Sequence, residues 1–293
     1  MNWLWRGNSD VVFKTYDEQK KDKLKKNILI FLGSAVVVVL LATFFLLLSY
    51  DFDIENAIGS RDVVVEGDEK KYTVKDVSGE ENIILYCTDD DETTIKFLCA
   101  IKVNMDKKEI IALPISVSEK IFTCNLKKVN AGECYNYAGV SQLVECVNEY
   151  TGVDFKKYIG CKEGNIEGII ANFDELTVSF DKNMIFKKGA DTITFKKGKH
   201  TVTDDVVYKL LTYSAGEETY LFRADLILQM FKQYCNQTSL ENRNMIYSNI
   251  INQSDSNISV VDFASYKDHI VVLASDKVKK KYIVVTDASD FRE

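Results

Sequence analysis

VNAGECYNYAGVSQLVECVNEYTGVDFKKYIG, residues 129–160, reads as a loop, an amphipathic helix, a stop and a strand. Val140, Leu143, Val144 and Val147 recur at helical spacing and Gly152 stands just past them, so the pattern predicts a helix over about 133–150. KKYIGCK then reads as a strand. A helix that returns the chain to a new strand is the unit from which layered α/β folds are built, so the neighbours of this stretch decide the architecture.

Upstream lie three candidate strands: NIILYC (82–87), TIKFLCAIKVN (94–104) and EIIALPI (109–115). The first is a continuous apolar run of the kind found in buried strands. The second alternates, with Ile95, Phe97, Cys99, Ile101 and Val103 expected on one side. NMDKKE between the second and third reads as a hairpin turn. Downstream, NIEGIIANF predicts a short helix capped by Asn165, and ELTVSF a strand. DTITFKKGKHTVT predicts a hairpin turning at Lys197-Gly198. Helices are expected over 204–213 and 218–235, the latter burying Leu221, Leu228 and Phe231. A polar helix about 239–253, a single helix over VDFASYKDHIVVLASD and a last strand KYIVVTD complete the series. Alternating strands and helices, with no internal repeat, predict an α/β domain whose mixed central sheet is flanked by helices on both faces.

The 293 residues, 46% hydrophobic and 28% charged, suit one sizeable domain plus extras. A net charge of −7 without a basic stripe argues against nucleic acid as the main partner. ILIFLGSAVVVVLLATFFLLL, residues 28–48, carries no charge. At about 1.5 Å per residue it spans the roughly 30 Å hydrocarbon core of a bilayer. A cleaved signal peptide has a shorter apolar region and a small-residue cleavage site, whereas this run meets SYDFDIEN, so an uncleaved anchor is the expectation. KKDKLKK precedes it and Asp51, Asp53 and Glu55 follow, which places the N-terminus in the cytoplasm and the remainder outside. The expected organisation is a cytoplasmic tail (1–27), a single transmembrane helix (28–49), an extracytoplasmic stem (50–77, with short strands in DVVVEG and KKYTVKDV) and the α/β domain (78–293). Cell membrane, single-pass, is the expected location.

Seven cysteines are an odd number, widely spaced and without CxxC, and only His200 and His269 accompany them, so no zinc site is expected. Most lie in apolar runs as small buried hydrophobes, with room for one disulfide. No phosphate-cradling glycine loop, nucleophile elbow or HExxH motif is present. Asp89, Asp90 and Asp91 form an acidic loop at the end of a central strand, where α/β sheets tend to bind ligands; it reads either as an Mg²⁺ site or as a solvated acidic turn. Arg223, among Tyr220, Leu221 and Phe222, is a candidate for an anionic group or a partner for Glu217 or Glu218. Tyr135 and Tyr137 read equally as packing residues and as ligand contacts.

The order of these pieces resembles the LytR-CpsA-Psr family of bacterial envelope proteins. Its members have a short cytoplasmic tail, one signal anchor and an extracytoplasmic α/β domain. They attach glycopolymers to peptidoglycan from polyprenyl-diphosphate carriers with Mg²⁺ assistance. Three stretches carry the likeness: ILYCTDDDETTIKFLCAIKVNMDKKEIIALPIS, the 129–160 stretch, and KLLTYSAGEETYLFRADLILQMFKQ. Asn130, Ala131, Tyr137 and Gly139 stand at or near the family's loop positions, so the resemblance implies substrate-binding roles for Asn130 and Tyr137, a metal role for Asp89, Asp90 and Asp91, and a catalytic role for Arg223.

The departures are as informative. Where the family has Pro-Arg-Asp this chain has Pro114-Ile115-Ser116, and Lys96 replaces an aspartate. Arg-x-Arg becomes Thr212-Tyr213-Ser214, Ala224 replaces a glutamine, and NFDELTV lacks the family's glycines. Arginines of this kind grip a diphosphate bidentately, so their loss implies a degraded phosphotransfer site. The leading expectation is a membrane-anchored binding or scaffolding protein of envelope assembly or its regulation. The alternatives are an active, divergent glycopolymer–peptidoglycan phosphotransferase and a surface-anchored interaction module with no carrier lipid.

Overall fold

Three apolar runs pair in sequence order. β1 (Glu80–Thr88), β2 (Ile95–Asn104) and β3 (Glu109–Pro114) form an antiparallel meander. The computed structural model describes residues 77–171, 175–216 and 218–292. A small hairpin, β4 (Phe122–Cys124) and β5 (Lys127–Val129), leads into helix α1 (Ala131–Thr151), which returns the chain to β6 (Lys157–Lys162), parallel to β1. After a 3-10 turn (Glu163–Asn165) come α2 (Ile166–Ile170), β7 (Leu176–Phe180), β8 (Met184–Lys188), β9 (Asp191–Phe195) and β10 (Gly198–Val202). Helices α3 (Asp204–Thr212), α4 (Thr219–Tyr234), α5 (Gln237–Glu241) and α6 (Arg243–Asn252) follow, then β11 (Ser254–Ser256), α7 (Val260–Ser265), α8 (Lys267–Ala274), β12 (Lys281–Val284) and α9 (Ala288–Arg292). The central sheet runs β11-β6-β1-β2-β3-β12, with β6 and β12 parallel to their inner neighbours and β11 antiparallel.

Each face of the sheet has its own core. Phe97, Cys99, Ile101, Ile110 and Ala112 pack with residues of α2, α3, α4 and β7 to β10. Ile84, Leu98, Ala100, Ile111 and Leu113 pack against α1, β4 and α9. Burial on both faces explains why β1 to β3 read as nearly unbroken apolar runs. The α/β class read from the sequence therefore holds. The expected anchor at 28–48 and the stem lie outside the described residues, apart from residue 77; among the described residues, no helix is long and apolar enough to cross a membrane.

Helix α1 ends at the expected glycine but begins at Ala131, before the expected start at about 133, so Tyr135 and Tyr137 lie within it. Asn130 and Glu133 form a reciprocal capping box, and Gly152 closes the helix at φ 69°. The helix is broken internally at Ala138 and Gly139, the latter at φ 70°. A positive φ is cheap only for glycine, so the kink is written into the Ala-Gly pair.

Several expectations are corrected. Ile95 does not share a face with Phe97: Cys87 pairs with Phe97 while Thr88 pairs with Ile95, so Lys96 is the extra residue of a β-bulge. The bulge breaks the period of two and sends Ile95 to the α1 side. The hairpin expected at Lys197-Gly198 does not form. FKKG occurs twice, and the turn is made at the first copy, where Gly189 has φ 60° and joins β8 to β9. β10 pairs instead with β7, enclosing that hairpin. Asn165 does not cap α2 with its side chain; its Nδ2 donates to the Gln253 carbonyl at 3.0 Å. The segment 239–253 divides into α5 and α6, and VDFASYKDHIVVLASD is two helices parting at Tyr266. In α4 Leu228 is buried with Ala224 and Leu226, while Leu221 and Phe231 are half-buried.

Gly160 in β6 is required by the Tyr86 ring. A Cβ there would lie 2.0 Å from Tyr86 Cζ, and the ring is held by a 2.7 Å hydrogen bond from its hydroxyl to Asp255. Gly160→Ala should destabilise the domain by about 1–3 kcal/mol, the usual cost of overpacking. In Gly160→Ala/Tyr86→Leu, which removes the obstructing ring, a substantial part of that loss should be absent. Urea denaturation of the two single variants and the double variant checks this; strict additivity contradicts the clash.

Candidate functional site

A pocket of about 660 Å³ opens where β1, β3 and β6 end. Its wall takes Cys87 from β1, Ser116 and Ser118 from the segment after β3, Glu163 after β6, and Lys96 from the bulge of β2. α3 and α4 close it with Thr212 and Arg223. The carboxyl ends of parallel strands in an α/β sheet are the usual place for a ligand, because the loops diverge there and leave a crevice.

Arg223 organises this pocket. It is buried, with 7% of its surface exposed. Its Nη1 donates to the Lys96 carbonyl at 2.9 Å and its Nη2 to the Tyr213 carbonyl at 3.2 Å. The β2 bulge explains the first bond, since an extra residue leaves its backbone groups outside the ladder. The second ties the loop after α3 to α4. Nε is buried and finds no partner among the described residues. Burial pushes the guanidinium pKa down, opposed by the nearby Cys87 and Glu163. Of the acidic neighbours expected from the sequence, Glu218 pairs with Lys182, and Glu217 lies outside the described residues.

The remaining charges do not form an anion clamp. Lys96 and Arg223 face Glu119 and Glu163 around the same pocket, and Glu163 is also paired with Lys188. That contact raises the Lys188 pKa. Serine and threonine hydroxyls make up much of the rest.

The other sequence candidates are placed elsewhere. Asn130 spends its side chain on the helix cap, accepting from the Glu133 amide at 2.9 Å. Tyr137 is exposed beside the α1 kink. Neither lines the Arg223 pocket. Asp89 accepts from the Thr93 and Thr94 amides at 2.8 and 3.1 Å and from the Thr93 hydroxyl at 3.1 Å, and Asp90 accepts from the Gly164 amide at 2.8 Å. Asp91 is exposed. Among the described residues, no group of three or more His, Cys, Asp or Glu side chains is placed to hold a metal ion. The acidic loop is thus built as a turn that satisfies its own backbone.

Sequence reading missed the Lys96 bulge and the Glu163–Lys188 pair. It also missed a second pocket of about 310 Å³, lined by Tyr135, Lys162, Cys161 and Asp255, on the other side of β1. The Asp89 turn did carry a local signal: an aspartate four and five residues before two threonines is a side-chain-capped loop.

No family model matches the chain, and no curated protein matches it. Solved structures do. A proposed transcription regulator of Eubacterium siraeum superposes with a TM-score of 0.63 at 17% identity, covering 77% of this chain and 88% of the other. B. subtilis TagV gives 0.59 at 14% identity, covering 72% and 85%, and TagT bound to LI-WTA gives 0.54 at 13%, covering 75% and 82%. TagV and TagT are LytR-CpsA-Psr proteins. The domain has the LytR-CpsA-Psr fold. Four positions at which the sequence departs from that family's pattern, Lys96, Ser116, Thr212 and Ser214, line the single pocket that Arg223 organises.

The Asp89 turn has a titration signature. Partial desolvation works to raise its carboxyl pKa, but hydrogen bonds from Thr94 and Thr93 outweigh it and hold the group down at about 2. A folded-state value below the ordinary carboxylate value of about 4 means that the stabilisation is full above that pH. It is lost as pH falls through about 2. NMR titration of the Asp89 carboxyl should show that low midpoint; an ordinary midpoint near 4 contradicts the turn geometry.

Proposed function

We infer that the chain is a membrane-anchored, extracytoplasmic protein of bacterial envelope assembly or its regulation, which binds a carrier lipid or wall polymer without transferring it efficiently. The fold supports the envelope setting, TagT having been solved bound to LI-WTA. The 21-residue uncharged run at 28–48 with basic residues before it supports the anchor, with the N-terminus cytoplasmic.

One observation carries the non-catalytic reading. Arg223 has both terminal nitrogens bonded to main-chain carbonyls, so it holds the pocket wall together and has two of its five N–H donors already engaged before any diphosphate arrives. Among the described residues, no second arginine lines the pocket to take over. Loss of one preorganised charge donor typically costs on the order of 10²–10³ in rate, and losses within one site do not simply multiply.

The unpartnered Nε of Arg223, with Lys96 beside the same pocket, favours a second reading: an active, divergent phosphotransferase. In that case an Mg²⁺ ion would arrive on the substrate's diphosphate, as this metal commonly does.

The full chain, reconstituted in lipid with a polyprenyl-diphosphate-linked glycan and peptidoglycan, separates the two. Transfer should fall at least about 100-fold below TagT run alongside, and a comparable rate overturns the non-catalytic reading. Arg223→Ala should lower stability by about 1–3 kcal/mol, through two carbonyls left without donors, and leave any residual transfer unchanged. A further drop in transfer by the folded variant would favour the phosphotransferase.

A further inference from the structure

β1 and β6 run parallel, with Cys87 directly opposite Cys161. Register partners on strands about 4.8 Å apart project to the same face. Accordingly both cysteines pack into the core beneath α3 and α4. A strand spacing of this size lies within the roughly 4.4–6.8 Å between Cα atoms that a disulfide requires. The two thiols are near enough to shift each other's titration, Cys87 upward and Cys161 downward. Both are free.

The pair is asymmetric in access. Cys87 is buried, forms part of the wall of the Arg223 pocket, and its Sγ also reaches the Thr88 carbonyl at 3.4 Å. Cys161 is half-buried and lines the second pocket, beside Lys162. Cys161 is thus the more exposed of the two thiols. Another pair of cysteines, Cys134 and Cys146, lies on α1 on either side of its kink and is buried at both partners, 0% and 2% exposed.

We propose that Cys87 and Cys161 are a redox-active dithiol that forms a reversible disulfide across β1 and β6, with Cys161 as the attacking thiol and Cys87 as the resolving one. The oxidant is a disulfide, borne by a small molecule or by a thiol–disulfide oxidoreductase. Cys161 gives up its proton and its sulfur attacks one sulfur of the oxidant; that S–S bond breaks and one half leaves as a thiol after taking up a proton. Cys87 then gives up its proton and attacks Cys161 Sγ; the mixed bond breaks and the second half leaves as a thiol. Two protein thiols are oxidised and one external disulfide is reduced to two thiols. The neighbouring Cys87 lowers the Cys161 pKa, which favours this order. The bridge would staple the two strands whose ends carry the acidic loop and Glu163, so one face of the Arg223 pocket would respond to oxidation. The inference rests on strand register and access alone, and stands whether or not the pocket binds a carrier lipid.

The test uses the full chain in detergent, incubated with oxidised glutathione and followed by intact mass and peptide mapping. The expected product has lost two hydrogens, with the first disulfide mapping to Cys87 and Cys161, and returns to the starting mass under a phosphine reductant. Cys87→Ser should stop at a glutathione adduct on Cys161. Cys161→Ser should take up no glutathione at Cys87 over the same period. Circular dichroism of both variants verifies that they remain folded. The proposal is overturned by a lasting glutathione adduct on Cys161 in the parent chain, by a first disulfide at Cys124, Cys134 or Cys146, or by no reaction at Cys161 in a folded chain.

Discussion

The hold that Arg223 has on two carbonyls is the constraint on which the pocket depends. Its guanidinium reaches the bulged residue of β2 on one side and the turn between α3 and α4 on the other. Those carbonyls belong to backbone that has left regular hydrogen bonding, and a buried carbonyl without a donor is costly. A lysine could not make the same two bonds in a plane, because its ammonium is a point charge on a flexible stem. The arginine thus links a defect in the sheet to the helix layer above it. Two of its five N–H donors are thereby committed to the backbone. One residue explains why the pocket has a defined shape.

Around that link, the arrangement follows from burying the sheet on both faces. The β1–β6 and β3–β12 pairs are parallel, so several strand ends open at one rim, and the loops there supply the pocket's hydroxyls and charges. The mixture of two acids and two bases on that rim gives it little net field, in contrast to a cleft that concentrates anions. The aromatic group on the other side of β1, with Tyr86 and Tyr135 ring centroids 5.9 Å apart, walls the second pocket, and the bond from Tyr86 to Asp255 fixes that wall.

Much of this was legible in the residues. Strands β1 to β3 and helix α1 follow from apolar periodicity and from Gly152 at the helix end, which are local signals, whereas the cap at Asn130 was not read. The bulge was not legible, because TIKFLCAIKV keeps an alternating look even when one residue is inserted into its pairing. The duplicated FKKG defeats local reading for a related reason: both copies can turn, and only the pairing of β10 with β7 selects the first. The site was harder still. Arg223 suggested a partner from its own neighbourhood, yet one of its acceptors is 127 residues away in sequence. Four of the positions where the sequence departs from the family pattern converge on one pocket, while Asn130, Asp89 and Asp90 make hydrogen bonds of helix and loop geometry.

The sheet's margins have a further consequence. β11 is three residues long and β12 four, and Lys279, Lys280 and Lys281 bring charge to the start of the latter. A bare sheet edge is a template on which another chain can add a strand, and short or charged margins deny it that template. Copies of this domain held at high local density would therefore meet through side chains and loops, and the sheet itself would not propagate from one copy to the next.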